Sequence, residues 1–218
     1  MYRLFSSILI ALALVPLSAT PAAAQRLGGG AVAAQVLGRV RLNADFSVNL
    51  YGYFTAMESI SGSLFNGAPG ENTALFTFVA QPTGAMLIKN GDLVHGLENP
   101  PNGQFTTLTV YYNGSPSTRD INNPDDFAQG MPVASFRSRS AAVNVLPGST
   151  FQASAGLAIL SSSFFYLNGQ PTNIASIVNA LSLTLSGASP SFDAITAGLG
   201  TDGFYSFPFA GSAIAVGQ

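Results

Sequence analysis

Asn-Gly occurs five times in this chain, at 66–67, 90–91, 102–103, 113–114 and 168–169. Both residues tolerate positive φ, which a type I′ hairpin turn demands, so Asn-Gly between strand-like runs is a strong local signal for a hairpin. Prolines at 69, 82, 100, 101, 116, 124, 147, 171 and 190 add further breaks. Between these breaks lie runs rich in β-branched and aromatic residues: Phe46–Met57, Thr73–Ala80, Ala85–Lys89, Phe105–Tyr112, Val133–Arg137, Ala141–Leu146 and Phe151–Leu167. The first run alternates. Phe46, Val48, Leu50, Gly52, Phe54 and Ala56 fall on one face, and Ser47, Asn49, Tyr51, Tyr53, Thr55 and Met57 on the other. A period of two fits a strand with one buried face.

Turns at this density, without βαβ spacing, predict an all-β fold. The expected architecture is a single antiparallel β-barrel or β-sandwich of about nine or ten strands. Pattern alone does not separate a closed barrel from two packed sheets. One or two short helices are expected within 172–199. Ile174, Ile177, Val178 and Leu181 follow helical spacing after Thr172, and Phe192, Ile195 and Leu199 do so after Ser191.

The N-terminus has the form of a secretory signal. Arg3 precedes an apolar stretch from Leu4 to Val15, and Ala22, Ala23 and Ala24 offer a small-residue cleavage site. The apolar stretch is shorter than the ~20 residues that span a bilayer. Residues 1–24 are therefore expected to be removed, which leaves seven basic against ten acidic residues and a net charge of −3. Residues 25–35 are small and Gly-rich and read as a flexible leader, with one β domain over 36–218. The expected location is secreted, periplasmic or cell-surface, and the signal has a bacterial look.

Composition excludes several classes of function. The chain has no Cys, which removes disulfides, thiol nucleophiles and Cys-based zinc sites. Eight basic against ten acidic residues leave no footprint for nucleic acid. Only 8% of residues are charged, against about 25% in ordinary soluble domains. Residues 140–192 hold neither a charged side chain nor a histidine. Such a stretch fits a buried central part of the fold, a surface for self-association, or the lipid-facing strands of an eight-stranded outer-membrane barrel. Membrane insertion is the less favoured reading, since Trp is absent and the chain ends in Gly217-Gln218 rather than an aromatic residue.

Few residues can carry chemistry. His95 is the only histidine and has Asp92 and Glu98 near it in sequence. It is a candidate for a general acid–base in an isomerase, cyclase or hydrolase. On a strand it would share a face with Leu93 and Leu97 rather than with either carboxylate. Asp120, Asn122 and Asp126 supply hard oxygen ligands and form a weak calcium candidate, although the EF-hand pattern is not met. A solvated Asx- and Pro-rich turn is the favoured explanation of them. Arg137 and Arg139, two apart on a strand, would point to one face and could take an anion, with Arg119 as a third contributor. Tyr111 is a further candidate for ligand contact. No cofactor motif occurs. The leading expectation is an exported, non-enzymatic β protein. It would act by binding a small apolar ligand or a surface partner, or by assembling with itself through 140–192.

Overall fold

The computed structural model describes residues 25–44, 48–81, 85–91, 93–98 and 106–217. Twelve strands lie within them. Eight close into an antiparallel barrel, which decides between the two architectures left open by the pattern. In order around the barrel these are β7 (Met131–Leu146), β6 (Thr107–Tyr112), β3 (Phe76–Gln81), β2 (Val48–Met57), β1 (Val32–Asn43), β12 (Phe204–Ala215), β11 (Ala180–Ala188) and β8 (Thr150–Ser162). The ring closes where β8 pairs with β7, from Ala134↔Ser162 to Leu146↔Thr150.

β7 runs for 16 residues, long enough to serve two partners on its other edge. Residues 131–137 pair with β6, and residues 142–145 pair with β5 (Leu93–Glu98). β5 and β4 (Ala85–Asn90) form a hairpin that extends the sheet beyond the barrel. Sequence runs 133–137 and 141–146 are thus one strand. The tight link between β7 and β8 uses Pro147 and Gly148, whose φ is +73°.

The interior is apolar. Val36, Phe54, Phe78, Phe136, Phe151, Leu157, Leu183, Leu185 and Phe209 are buried in one cluster. Small residues make room for these rings. Gly38 and Gly52 face each other across β1 and β2. A Cβ on Gly38 would stand 2.6 Å from the Phe209 ring and closer still to the Tyr51 carbonyl. Only glycine fits there, so the ring fills the space instead.

The alternation read in the first run holds for part of its length. Gly52 and Phe54 are buried, but a β-bulge intervenes where Gln35 pairs with Ala56 and Val36 with Phe54. The extra residue resets the parity. Ala56 is exposed beside Gln35, and Met57 packs on the main core. Tyr51, expected on the semi-polar face, is fully buried in a second cluster with Val79 and Phe127. The connection from β6 to β7 lies over the outside of β2 and β3 and covers it. A one-turn 3-10 helix at Pro124–Phe127 carries the Phe127 ring to 5.1 Å from Tyr51.

Two short helices occur, as expected. α1 is a single turn, Ile174–Ile177, capped by Asn173 rather than Thr172, because β11 takes over from Ala180. α2 spans Phe192–Asp202. The Ser191 hydroxyl accepts from the Ala194 amide at 3.2 Å, and Gly203 ends the helix in the left-handed region at φ +72°. These are the ordinary start and stop devices of a helix. Of the Asn-Gly pairs, Asn168-Gly169 joins β9 (Phe165–Leu167) to β10 (Gln170–Thr172) with both residues at positive φ. Asn90-Gly91 sits at the β4–β5 turn, displaced by one, since Asn90 still pairs with Leu93. Asn66-Gly67 and Asn113-Gly114 lie in longer loops, and Asn102-Gly103 lies outside the described residues.

Candidate functional site

The barrel has two ends. At one of them β1 begins, β12 finishes, and the connections β2–β3, β6–β7 and β8–β11 all cross. Here the mouth is covered by three pieces of chain. The first is the segment 25–31, which the sequence suggested was a free leader reaching to residue 35. In the structure β1 starts at Val32, with Ala33 and Ala34 already buried. The Leu27 amide donates to the Ile177 carbonyl at 3.0 Å, and Gly30 to Ala215 at 2.8 Å. The second piece is α1, which turns Ile174 and Ile177 inward. The third is the turn after β2, where Glu58 donates its amide to Ala33 at 2.8 Å and Ser59 takes φ +61°.

Beneath these pieces lies a cavity of about 50 Å³. Leu27, Ile60, Ile174, Ile177 and Val178 roof it, while Val36, Phe54, Phe78, Phe136 and Leu183 form walls and floor. The lining is almost wholly apolar, with Glu58 the one ionisable residue at its edge. A lining of this kind offers water few of the two to four polar partners it needs. Outside the mouth, large apolar side chains stay in solvent. Phe164 is 69% exposed, Tyr166 68% and Leu160 54%. Val32 and its cross-strand neighbour Ile214 are also exposed at this end.

The residues singled out from the sequence lie elsewhere and apart. His95 sits on β5, in the hairpin outside the barrel, and its Nδ1 is 2.6 Å from the Asn144 Oδ1 of β7. Asp92 and the Glu98 side chain lie outside the described residues. Asp120, Asn122 and Asp126 form a self-satisfied loop. Asp126 accepts from the Asp120 amide at 2.7 Å and the Asn123 side chain at 3.0 Å, and Asp120 accepts from the Asn122 amide at 2.9 Å. This is the Asx-turn arrangement. Among the described residues, no group of three or more His, Asp or Glu stands close enough together to hold a metal ion.

Arg137 and Arg139 are both exposed on β7 with buried Ser138 between them, which agrees with the expected parity. Arg119 does not join them. It is buried 4% exposed, and its guanidinium donates to the carbonyls of Glu71, Ala74 and Asp126. Burial pushes its pKa down from the usual guanidinium value, partly offset by the Asp126 and Glu71 carboxylates. Arg119 therefore ties two loops together. Tyr111 packs half-buried against the second cluster.

Sequence reasoning passed over Leu27, Met57, Glu58 and Ile60, the residues that close the mouth. The signal that could have found Leu27 is a lone large apolar residue ahead of three glycines. Arg39 and Arg41 were also missed. They lie on β1, hydrogen-bonded to Ser206, Asn43 and the Asn122 carbonyl, with Arg41 4.0 Å above the Phe204 ring.

The fold and the mouth define a class: a small closed antiparallel barrel with an apolar interior and a capped apolar cavity. Comparison with family models, curated proteins and solved structures gave no match.

Proposed function

We propose that this chain is an exported, non-enzymatic binding protein that takes a small apolar ligand in the capped mouth of its barrel. The observation that carries this reading is the apolar-lined cavity of about 50 Å³ under a roof built from three separate pieces of chain. A buried hollow costs packing energy, about 24 cal/mol per Å³ in engineered cases. A folded chain that retains one under short, separable covers has a place for an apolar guest. The exposed Phe164, Tyr166 and Leu160 at the same end would meet such a guest, or the apolar phase holding it, before it enters.

The catalytic alternative has less support. His95 faces a neutral amide on a hairpin away from the cavity. The membrane-barrel alternative conflicts with polarity. Along β8 and β11 most exposed positions are polar, Gln152, Ser154, Ser182, Thr184 and Ser186 among them, with Leu160 and Ala188 the apolar ones, while Phe151, Leu157, Leu183 and Leu185 are buried. A lipid-facing barrel needs the reverse.

A second reading is favoured by that same outer surface. Ser154, Thr184, Ser212 and Gln35 stand in register across β8, β11, β12 and β1 without a charge among them. Such a face lacks the repulsion that keeps copies apart. Native mass spectrometry of the chain recovered without detergent separates the readings. A monomer carrying the mass of a small apolar molecule is the expected result. A ladder of multiples would favour assembly. A bare monomer whose inward methyl NMR signals ignore added cyclohexane would overturn the ligand reading.

A further inference from the structure

The cavity does not end at its roof. A cleft opens beside it on the same end of the barrel, lined by Arg26, Gly28, Val32 and Ser59 among others. Cavity and cleft share two residues, Leu27 and Glu58. Apolar lining thus gives way to polar lining across one side chain. Resting on the reading that the mouth binds an apolar ligand, we propose that the two hollows are halves of one site for a small uncharged amphiphile. Its short alkyl tail takes the place that Leu27 fills in the empty chain, and its hydroxyl head sits between Arg26 and Glu58.

The size of the cavity points to displacement. An engineered cavity of about 150 Å³ takes benzene, and the closed mouth offers about 50 Å³. Withdrawal of the Leu27 side chain joins the cavity to the cleft and makes room for a tail.

The chain beside Leu27 is built to permit this. Gly28, Gly29 and Gly30 separate it from β1, and Gly30 has φ +87°. Three glycines let the strap swing while Val32 stays paired with Ile214. The closed position is held by the Leu27 and Gly30 amides, and it brings Gly29 so near the chain's other end that a Cβ there would lie 2.7 Å from the Gly217 Cα.

The head follows from charge. Arg26 and Glu58 stand on the same cleft with the Ser59 residue beside them. Between these two side chains, a carboxylate or an ammonium would meet one opposite and one like charge. A hydroxyl can accept from the guanidinium and donate to the carboxylate.

The test is an NMR titration of the full chain with n-hexanol, hexanoate and hexylammonium, with hydrogen exchange followed at the Leu27 amide. The expected order has n-hexanol tightest. Its binding should release the Leu27 N–H from protection, because the bond to the Ile177 carbonyl opens. Leu27→Ala removes the competing side chain and should tighten n-hexanol by about tenfold, as expected when a closed state no longer taxes binding. Gly29→Ala keeps the plug but crowds its closed position against Gly217, and should tighten binding in the same direction. His95→Ala should change nothing. If n-hexanol binds while the Leu27 amide stays protected and Gly29→Ala binds no tighter, displacement is wrong and the mouth reading stands. If hexanoate or hexylammonium binds best, the uncharged head is wrong. If none of the three binds the native chain or either variant, the mouth reading fails and this inference with it.

Discussion

Arg119 spends its charge on three backbone carbonyls rather than on a ligand. Its backbone amide is held as well, by Asn72 Oδ1 at 2.6 Å. Arg119→Leu would leave those carbonyls buried without donors. A loss of about 3 kcal/mol is expected in urea unfolding, since each orphaned buried group costs roughly 1–3 kcal/mol. Tyr51 gives a pH-dependent counterpart. Burial raises its phenol above the usual value. The Ser206 hydrogen bond and then Arg39 and Arg41 oppose that, and Asp120 adds to it. Tyr53 is raised too, by burial and then Glu71. A raised phenol favours the protonated folded state, so its contribution is complete below about pH 10 and is lost as pH climbs through the folded value. Tyr51→Phe also removes the hydroxyl bond to the Ile121 carbonyl, 3.0 Å long. It should cost about 1 kcal/mol at pH 7 and make the alkaline limb of the stability curve shallower, both read from denaturation midpoints across pH.

At the scale of elements, local chemistry was legible where it acts alone. Ser191 and Phe192 marked the start of α2, and Asn168-Gly169 marked the β9–β10 turn. Ser191→Ala should therefore cost about 1 kcal/mol in thermal or urea unfolding, within the range measured for helix caps. What stayed hidden depends on partners distant in sequence. β11 alternates leucine with serine or threonine, yet its first residues also fit a helical spacing. It is a strand because β8 and β12 flank it. β12 is broken by Pro208 and small residues, and pairing with β1 overrides that. The bulge at Gln35/Val36 is invisible to any periodicity count. The mouth was unreadable for the same reason. Leu27, Glu58 and Ile174 meet only because three separate pieces of chain come together at one end of a closed ring. By contrast, the Asp120–Asp126 loop has local partners that satisfy it, while His95 meets Asn144 of β7, 49 residues away.

For the whole molecule, the charge-free stretch 140–192 is neither wholly buried nor wholly exposed. It supplies β8, β11 and half of β7, with one side in the core and the other in solvent. If the outer side mediates assembly, Thr184→Lys places a charge at its centre without touching the interior. Sedimentation should then show loss of oligomers at unchanged thermal stability. An unchanged oligomer distribution would exclude this face.

The seam between β1 and β12 sets the order in which the molecule can be made. Val32 pairs with Ile214, so nearly all of the described chain must be present before the ring closes. A growing chain that lacks its last strand is an open sheet, with β1 and β11 both presenting bare edges. Neighbouring copies at that stage compete with the chain's own final segment. Until residues 204–215 have paired with β1 and β11, those two edges stay open to other chains. Slowing synthesis just before residue 204 should raise aggregation more than slowing it anywhere within β8.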